Sequence, residues 1–313
     1  MKKVAFLFPG QGSQSIGMGK SFYEKDVEIK NLFDEAEEIL QVPIKKLMFE
    51  GPENELTKTE NAQPALLLVS AAIARKLEEE GVQPSMVAGH SLGEYSALVA
   101  AKALDVKDAV KLVQTRGRLM EEAYPTGLGA MAAVLGTEEA IIREVVENVS
   151  NDGDIVDVAN FNCPGQIVIS GTKEGVERAS DLLKEKGTKR VIPLNVSGPF
   201  HSRLMEPASH KFKEALLKVH IHNAAVPVFA NVTAMPVTDS QEIADLLIKQ
   251  LYSPVRFSET ISNMMEKDID AFVEVGNGKV LSGLVKKVSR RMKTFSIQDE
   301  ASLQEFLEWY KEG

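Results

Sequence analysis

Val87-Ala88-Gly89-His90-Ser91-Leu92-Gly93-Glu94-Tyr95 is the stretch that decides how the rest of this 313-residue chain is read. Just before the motif, Met86 to Ala88 is a short apolar run with the character of a buried strand. After it, Tyr95 to Ala103 is an apolar block that reads as a helix. Strand, Gly-x-Ser-x-Gly and helix, in that order, are the context of a nucleophile elbow, in which a strained turn lifts a serine hydroxyl clear of a sheet edge. Gly89 and Gly93 leave room for neighbouring backbone. The start of the helix turns its N–H groups and dipole back toward Ser91, where an oxyanion would form. A plain tight turn can carry the same five residues, so the remaining sequence has to decide.

Composition narrows the field. Hydrophobic residues make up 44% and charged residues 26%, an ordinary soluble balance, and the length suggests about two domains. A formal net charge of -9 argues against a nucleic-acid partner. The single cysteine, Cys163, excludes a disulfide framework and a Cys-rich zinc site, and no metal is expected. Val4 to Phe8 is too short for a signal peptide and no apolar run is long enough to cross a membrane, so the expectation is a cytoplasmic protein.

Val4-Ala5-Phe6-Leu7-Phe8 reads as a buried strand, left by the loop Pro9-Gly10-Gln11-Gly12-Ser13-Gln14. A dinucleotide fingerprint would need glycine at Ser15 and a phosphate loop ending in Gly19-Lys20-Ser21 would need glycine at Gln14, which disfavours both. Backbone N–H groups offered to an anion at the sheet edge are a better use of such a loop. Helical spacing runs from Glu28 to Leu47, from Ala62 to Glu80 and from Val106 to Ala123. Arg116 falls inside the apolar stripe of the last of these. Unless its side chain snorkels to solvent, a guanidinium there needs an anionic partner, either an internal carboxylate or a substrate carboxylate held in a bidentate grip.

From 128 to 197 the order of predicted elements is βαββαβ, the ferredoxin-like pattern, with Thr137 expected to cap its first helix. The expected architecture is an α/β, hydrolase-like core with a parallel sheet, discontinuous over 1–127 and 198–313, carrying that segment as an inserted subdomain. Pro227 to Val232 and Ala271 to Val275 are expected as further core strands and Ser302 to Lys311 as a closing helix.

A serine needs a base. Of the five histidines, His90 adjoins Ser91 and should point away from it, while His210, His220 and His222 belong to a polar amphipathic region. His201, in the rigid loop Ser197-Gly198-Pro199-Phe200-His201-Ser202 after a strand, is the candidate base, against a plain loop histidine. Cys163, in a predicted hairpin turn, is discounted as a rival nucleophile.

These motifs, in this order and over nearly the whole chain, resemble the malonyl-CoA:acyl carrier protein transacylases and the acyltransferase domains of polyketide synthases. Thr115-Arg116-Gly117, Gly129-Ala130-Met131-Ala132-Ala133, Asn160-Phe161-Asn162-x-Pro164-Gly165-Gln166, Gln250-Leu251-Tyr252-x-Pro254-Val255 and Phe272-Val273-Glu274-Val275-Gly276 extend the likeness. The resemblance implies Ser91 as acyl-carrying nucleophile, His201 as base, the N–H groups of Gln11 and Leu92 as oxyanion hole, and Arg116 as partner of the malonyl carboxylate. It also implies Gln250 as the residue whose carbonyl steadies the base, and Phe200 as a substrate-binding residue of malonyl-selective members. Asn277 departs from the proline frequent in relatives and is read simply as a turn residue.

Malonyl-CoA and acyl carrier protein are then the expected partners, with no cofactor, since the CoA thioester is substrate, and with a monomer as the expected state. Product malonyl carrier protein would feed fatty-acid synthesis. Lys286, Lys287, Arg290 and Arg291 lie in the densest basic run and are candidate docking residues, against a solvated helix face. A serine esterase or thioesterase would share Ser91 and His201 but have no use for Arg116. A binding module that keeps the fold without the chemistry would have no need to retain nucleophile, base and oxyanion loop together.

Overall fold

Five consecutive apolar residues suit a strand whose two faces are both covered, and β1 (Val4–Phe8) is buried at every position. The computed structural model describes residues 2–125 and 127–312. After β1 come β2 (Met86–Gly89), β3 (Gly129–Leu135), β4 (Val156–Cys163), β5 (Gln166–Thr172) and β6 (Arg190–Pro193). They are followed by β7 (Val228–Phe229), β8 (Pro236–Val237), β9 (Ala271–Val275) and β10 (Lys293–Ile297).

The larger sheet has the order β10-β9-β1-β2-β7-β8 and is parallel except for the edge pair β7–β8. Alternate residues of β1 serve different cores. Val4, Phe6 and Phe8 join Leu66, Val110 and Val113 on one face, while Ala5 and Leu7 join Phe257, Leu281 and Leu284 on the other. From β1 the chain builds outward in both directions, to β2 on one side and later to β9 on the other. A crevice at the carboxyl ends of the central strands follows from that reversal. The loops after β1, β2 and β9 all open there.

The second sheet is antiparallel throughout, in the order β4-β5-β3-β6. Helices Glu139–Asn151 and Lys173–Glu185 cover one face through Ile142, Val145, Val149, Ala179 and Leu183. That order is the ferredoxin-like connectivity predicted for 128–197. Its other face is not independent: Met131, Ala133, Ala159 and Val168 belong to the same apolar cluster as Phe8 and Leu119. Phe161 N–H donates to Val255 O at 2.9 Å and Val255 N–H to Ala159 O at 2.8 Å, so β4 is stitched to the core chain.

Several local expectations are corrected. The helix forecast over 28–47 is two, Val27–Leu40 and Ile44–Glu50, because Gln41 takes a left-handed φ of 56° and Pro43 follows. Thr137 does not cap; its hydroxyl meets that of Thr188 at 2.7 Å and Glu138 stands at the cap position. Only Val228–Phe229 of the 227–232 run pairs as strand. The basic run is not one helix face: Lys286 and Lys287 end the helix Val280–Val288, Arg290 and Arg291 lie in the turn beyond, and Lys293 opens the unforeseen β10.

Candidate active site

Ser91 sits between β2 and the helix Gly93–Ala100 with φ 52°, the strained turn that the motif requires. A Cβ at Gly89 would collide with the backbone of Gly93, and one at Gly93 with the carbonyl of Phe8. Glycine at both positions lets the elbow nest against the end of β1. Asn231, beyond β7, secures the turn: its Oδ1 accepts from Ser91 N–H at 2.8 Å and its Nδ2 donates to Gly89 O at 2.6 Å.

Ser91 Oγ and His201 Nε2 are 2.8 Å apart, and His201 Nδ1 lies 2.8 Å from the backbone oxygen of Gln250. A carbonyl oxygen only accepts, so Nδ1 carries the ring proton and Nε2 is free to take one from the serine. Burial, helped by the nearby Arg116 charge, pushes the His201 pKa down to about 3. The ring is therefore neutral and ready to act as a base at neutral pH.

Arg116 is completely buried. Its Nη1 donates to Gln63 Oε1 at 2.8 Å, while Nη2 donates to Gln250 Oε1 at 2.9 Å and Ser91 Oγ at 3.1 Å. Among the described residues its Nε has no hydrogen-bond partner, and the face of Tyr95 lies 5.3 Å from the guanidinium carbon. Every group it hydrogen-bonds is neutral, and burial works against its charge. Such a cation is set to receive an anion.

A cavity of about 390 Å³ opens above these groups, lined by Gln11, Leu92, Met131, Asn160, Phe200 and Leu284 among others. The wall thus combines the loop after β1, the elbow, the second sheet and the helix Val280–Val288. Among the described residues no protein acceptor meets the N–H of Gln11 or of Leu92. Gln11 is held by its side chain, Nε2 donating to Thr59 Oγ1 at 3.2 Å. No group of three or more His, Cys, Asp or Glu among the described residues is arranged to hold a metal ion.

Against known proteins, residues 5–302 match the acyl transferase domain family. The chain belongs to that family. It is 55% identical over 312 residues to the malonyl CoA-acyl carrier protein transacylase of Bacillus subtilis (strain 168), covering 100% of this chain and 98% of the relative. An acyl carrier protein S-malonyltransferase from Vibrio cholerae superposes with a TM-score of 0.94 at 44% identity, over 97% of this chain and 99% of that one. A malonyl-transacylase solved in complex with a type II PKS acyl-carrier protein superposes with a TM-score of 0.95 at 43% identity, over 98% and 99%. An acyltransferase of this family has no need of the dinucleotide or phosphate-loop readings of the loop after β1.

Sequence reasoning missed four polar residues of this acyltransferase site. Glu94, Asn231 and Gln63 are buried among the groups that hold Ser91 and Arg116. Asn277, dismissed as a turn residue, ties down the loop after β1: its Nδ2 donates to Ser13 O at 2.6 Å and Ser15 Oγ at 2.9 Å. A signal existed for Glu94, a lone charge at the head of the uncharged, mostly apolar run Tyr95 to Ala101, open to the argument that singled out Arg116.

Proposed function

We propose that this chain transfers the malonyl group of malonyl-CoA to the phosphopantetheine thiol of acyl carrier protein through a malonyl-Ser91 intermediate, supplying malonyl carrier protein for fatty-acid synthesis. The observation that carries the reading is a buried Arg116 within 3.1 Å of the Ser91 hydroxyl and hydrogen-bonded only to neutral groups. In the acyl-enzyme the malonyl carboxylate is three bonds from Oγ, a span that reaches back to the guanidinium. An esterase of simple acids would bury this charge to no purpose. The activities named for the Bacillus and Vibrio relatives support the same substrate.

In the first half-reaction His201 Nε2 takes the Ser91 proton as Oγ attacks the thioester carbonyl. The N–H groups of Gln11 and Leu92 receive the oxyanion, and the Gln250 carbonyl holds the imidazolium through Nδ1. Collapse breaks the C–S bond, and the departing CoA sulfur takes the proton from Nε2. In the second half-reaction the phosphopantetheine thiol gives its proton to His201 Nε2 and attacks the ester carbonyl; the C–Oγ bond breaks, and Ser91 Oγ takes the proton back from Nε2. Atoms and electrons balance with no cofactor. Phe200 serves as an apolar wall of the acyl pocket.

Residues 1–127 and 198–313 act in this reading as the catalytic core and 128–197 as an inserted subdomain that keeps water from the acyl-serine. Carrier protein docks on the exposed Lys286, Lys287, Arg290 and Arg291, in the last turn of the helix whose Leu281 and Leu284 line the cavity and just beyond it. Charge reversal at Lys286 and Arg290 should raise KM for carrier protein and leave that for malonyl-CoA unchanged. The enzyme works as a monomer in the cytoplasm. Among the described residues no helix is long and apolar enough to cross a membrane.

The deciding experiment measures transfer to carrier protein from malonyl-CoA and from acetyl-CoA by wild type and Arg116→Ala. Removing one partner of a buried charge pair costs roughly 3–5 kcal/mol, so malonyl transfer should fall by about two to four orders of magnitude while acetyl transfer holds or rises. Equal losses on both donors, or a wild type that uses neither, would overturn the reading.

A further inference from the structure

The Gln250 side chain stands between a buried carboxylate and a buried guanidinium. Its Nε2 donates to Glu94 Oε2 at 2.8 Å and to Ser91 O at 3.1 Å, and its Oε1 accepts from Arg116 Nη2 at 2.9 Å. The same Glu94 oxygen accepts from Asn231 N–H at 3.0 Å, and Asn231 in turn holds the backbone of Ser91. Glu94 and Gln250 are both almost wholly inaccessible to solvent.

We propose that Glu94 is a positioning residue that aims Arg116 at the substrate's carboxylate, by fixing which end of the Gln250 amide faces the guanidinium. This rests on the malonyl-transfer reading above and deepens it. An amide has two ends of similar shape and opposite hydrogen-bonding sense. Arg116 can only donate, so Oε1 must face it. Ser91 O only accepts, and Glu94 Oε2, already receiving the Asn231 N–H, accepts as well. Asn231 Oδ1, at 3.4 Å, is a third acceptor on the Nε2 side, and Oε1 has the donor on the other. Without Glu94 the shortest of these three contacts is gone, and a turned amide would set Nε2 against Nη2, donor against donor, displacing the guanidinium.

The interposed amide has a second effect. A direct ion pair between Glu94 and Arg116 would occupy the donors that the substrate needs. With Gln250 between them, the carboxylate stays near enough to favour the cation and far enough to leave it open. The base is held separately, by the backbone oxygen of Gln250, so a misplaced side-chain amide does not disturb His201.

Two substitutions separate this role from ordinary packing. In Glu94→Gln the Asn231 N–H still demands an acceptor, so the new side-chain oxygen stays where Oε2 was and still receives Gln250 Nε2. Glu94→Leu fills similar space and accepts nothing. Malonyl and acetyl transfer would be measured for wild type and both variants, with thermal unfolding to confirm that each is folded. The expected result is a malonyl-to-acetyl ratio lowered by about tenfold in Glu94→Leu and back within about threefold of wild type in Glu94→Gln. Equal loss on both donors in Glu94→Leu, or a Glu94→Gln as impaired as Glu94→Leu, would overturn the proposal. Should Glu94→Leu not fold, Gln250→Leu carries the same test. It deletes the bridge and keeps the backbone carbonyl, and an unselective loss there would be equally decisive. A wild type unable to use malonyl-CoA would instead sink the underlying reading of function.

Discussion

Arg116 Nη2 lies 3.1 Å from Ser91 Oγ, the oxygen that also stands 2.8 Å from His201 Nε2. Guanidinium and imidazole thus meet at one atom, so in the proposed malonyl-Ser91 intermediate the acyl group begins within reach of Arg116. Lysine at 116 would keep the charge and lose the planar fork that reaches Gln63, Gln250 and the serine together. Arg116→Lys should lower kcat/KM for malonyl-CoA by about tenfold to a hundredfold, less than the alanine variant, with acetyl transfer little changed. Steady-state kinetics with both donors checks the ordering.

The second prediction concerns acid. Only the neutral ring can take the serine proton, and His201 is held neutral down to about pH 3 by burial and by Arg116. An ordinary histidine would be about 90% protonated one unit below its pKa of 6.5. The pH profile of kcat/KM should therefore stay level from pH 7 to pH 5 rather than falling tenfold or more. A limb with its midpoint near 6.5 would contradict the environment described for this ring.

Glu94 gives a third, in stability. Burial raises its pKa to about 7, against the donors Asn231 and Gln250 and the Arg116 charge, which lower it. A raised folded-state pKa means that the contribution is complete below the ordinary value of 4.5 and is lost as pH rises through 7. Glutamine has no proton to lose. Thermal unfolding should show Glu94→Gln gaining on wild type between pH 5 and pH 8, by on the order of 3 kcal/mol. His201 acts in the opposite sense, losing stability as pH falls from 6.5 toward 3, but it is common to both proteins and cancels in the difference. The proton on Glu94 sits on the oxygen that Gln250 does not use, so the aim of Arg116 survives the titration.

Asn277 supplies a fourth. Its two hydrogen bonds hold the loop that carries the Gln11 N–H, well away from the carboxylate clamp. Asn277→Ala should lower kcat for malonyl and acetyl donors alike, since both pass through the same oxyanion, and cost about 1–2 kcal/mol in unfolding. A donor-selective effect would show that the loop serves binding instead.

Much of this was open to reading because it is written at fixed spacing. Gly89, Ser91 and Gly93 announce the turn, the burial of β1 follows from Val4 to Phe8, and Arg116 stands out against the helical period of its neighbours. The alternation βαββαβ gave the second sheet in outline. Residues that act only through the fold left no such mark. Asn231 and Gln63 reach the site from 140 and 28 positions away from Ser91 in numbering, and an isolated Asn or Gln carries no period. β10 was hidden because Lys293-Thr294-Phe295-Ser296-Ile297 is a half-exposed edge strand that begins inside a basic run. The break near Gln41 was masked by apolar spacing that continues past it, although Pro43 was there to be weighed.

Asp157, on β4, accepts from Arg203 N–H at 2.8 Å and from Arg203 Nε at 3.0 Å, and their side chains form an ion pair. Arg203 is two residues beyond His201. Together with the backbone stitches between β4 and Val255, this clamp ties the smaller sheet to the segment that carries His201. For anyone recombining members of this family, 128–197 is then a poor cassette. A chimera cut at 128 and 197 would inherit position 157 from one parent and position 203 from the other, and would have to rebuild the join before its histidine could be trusted.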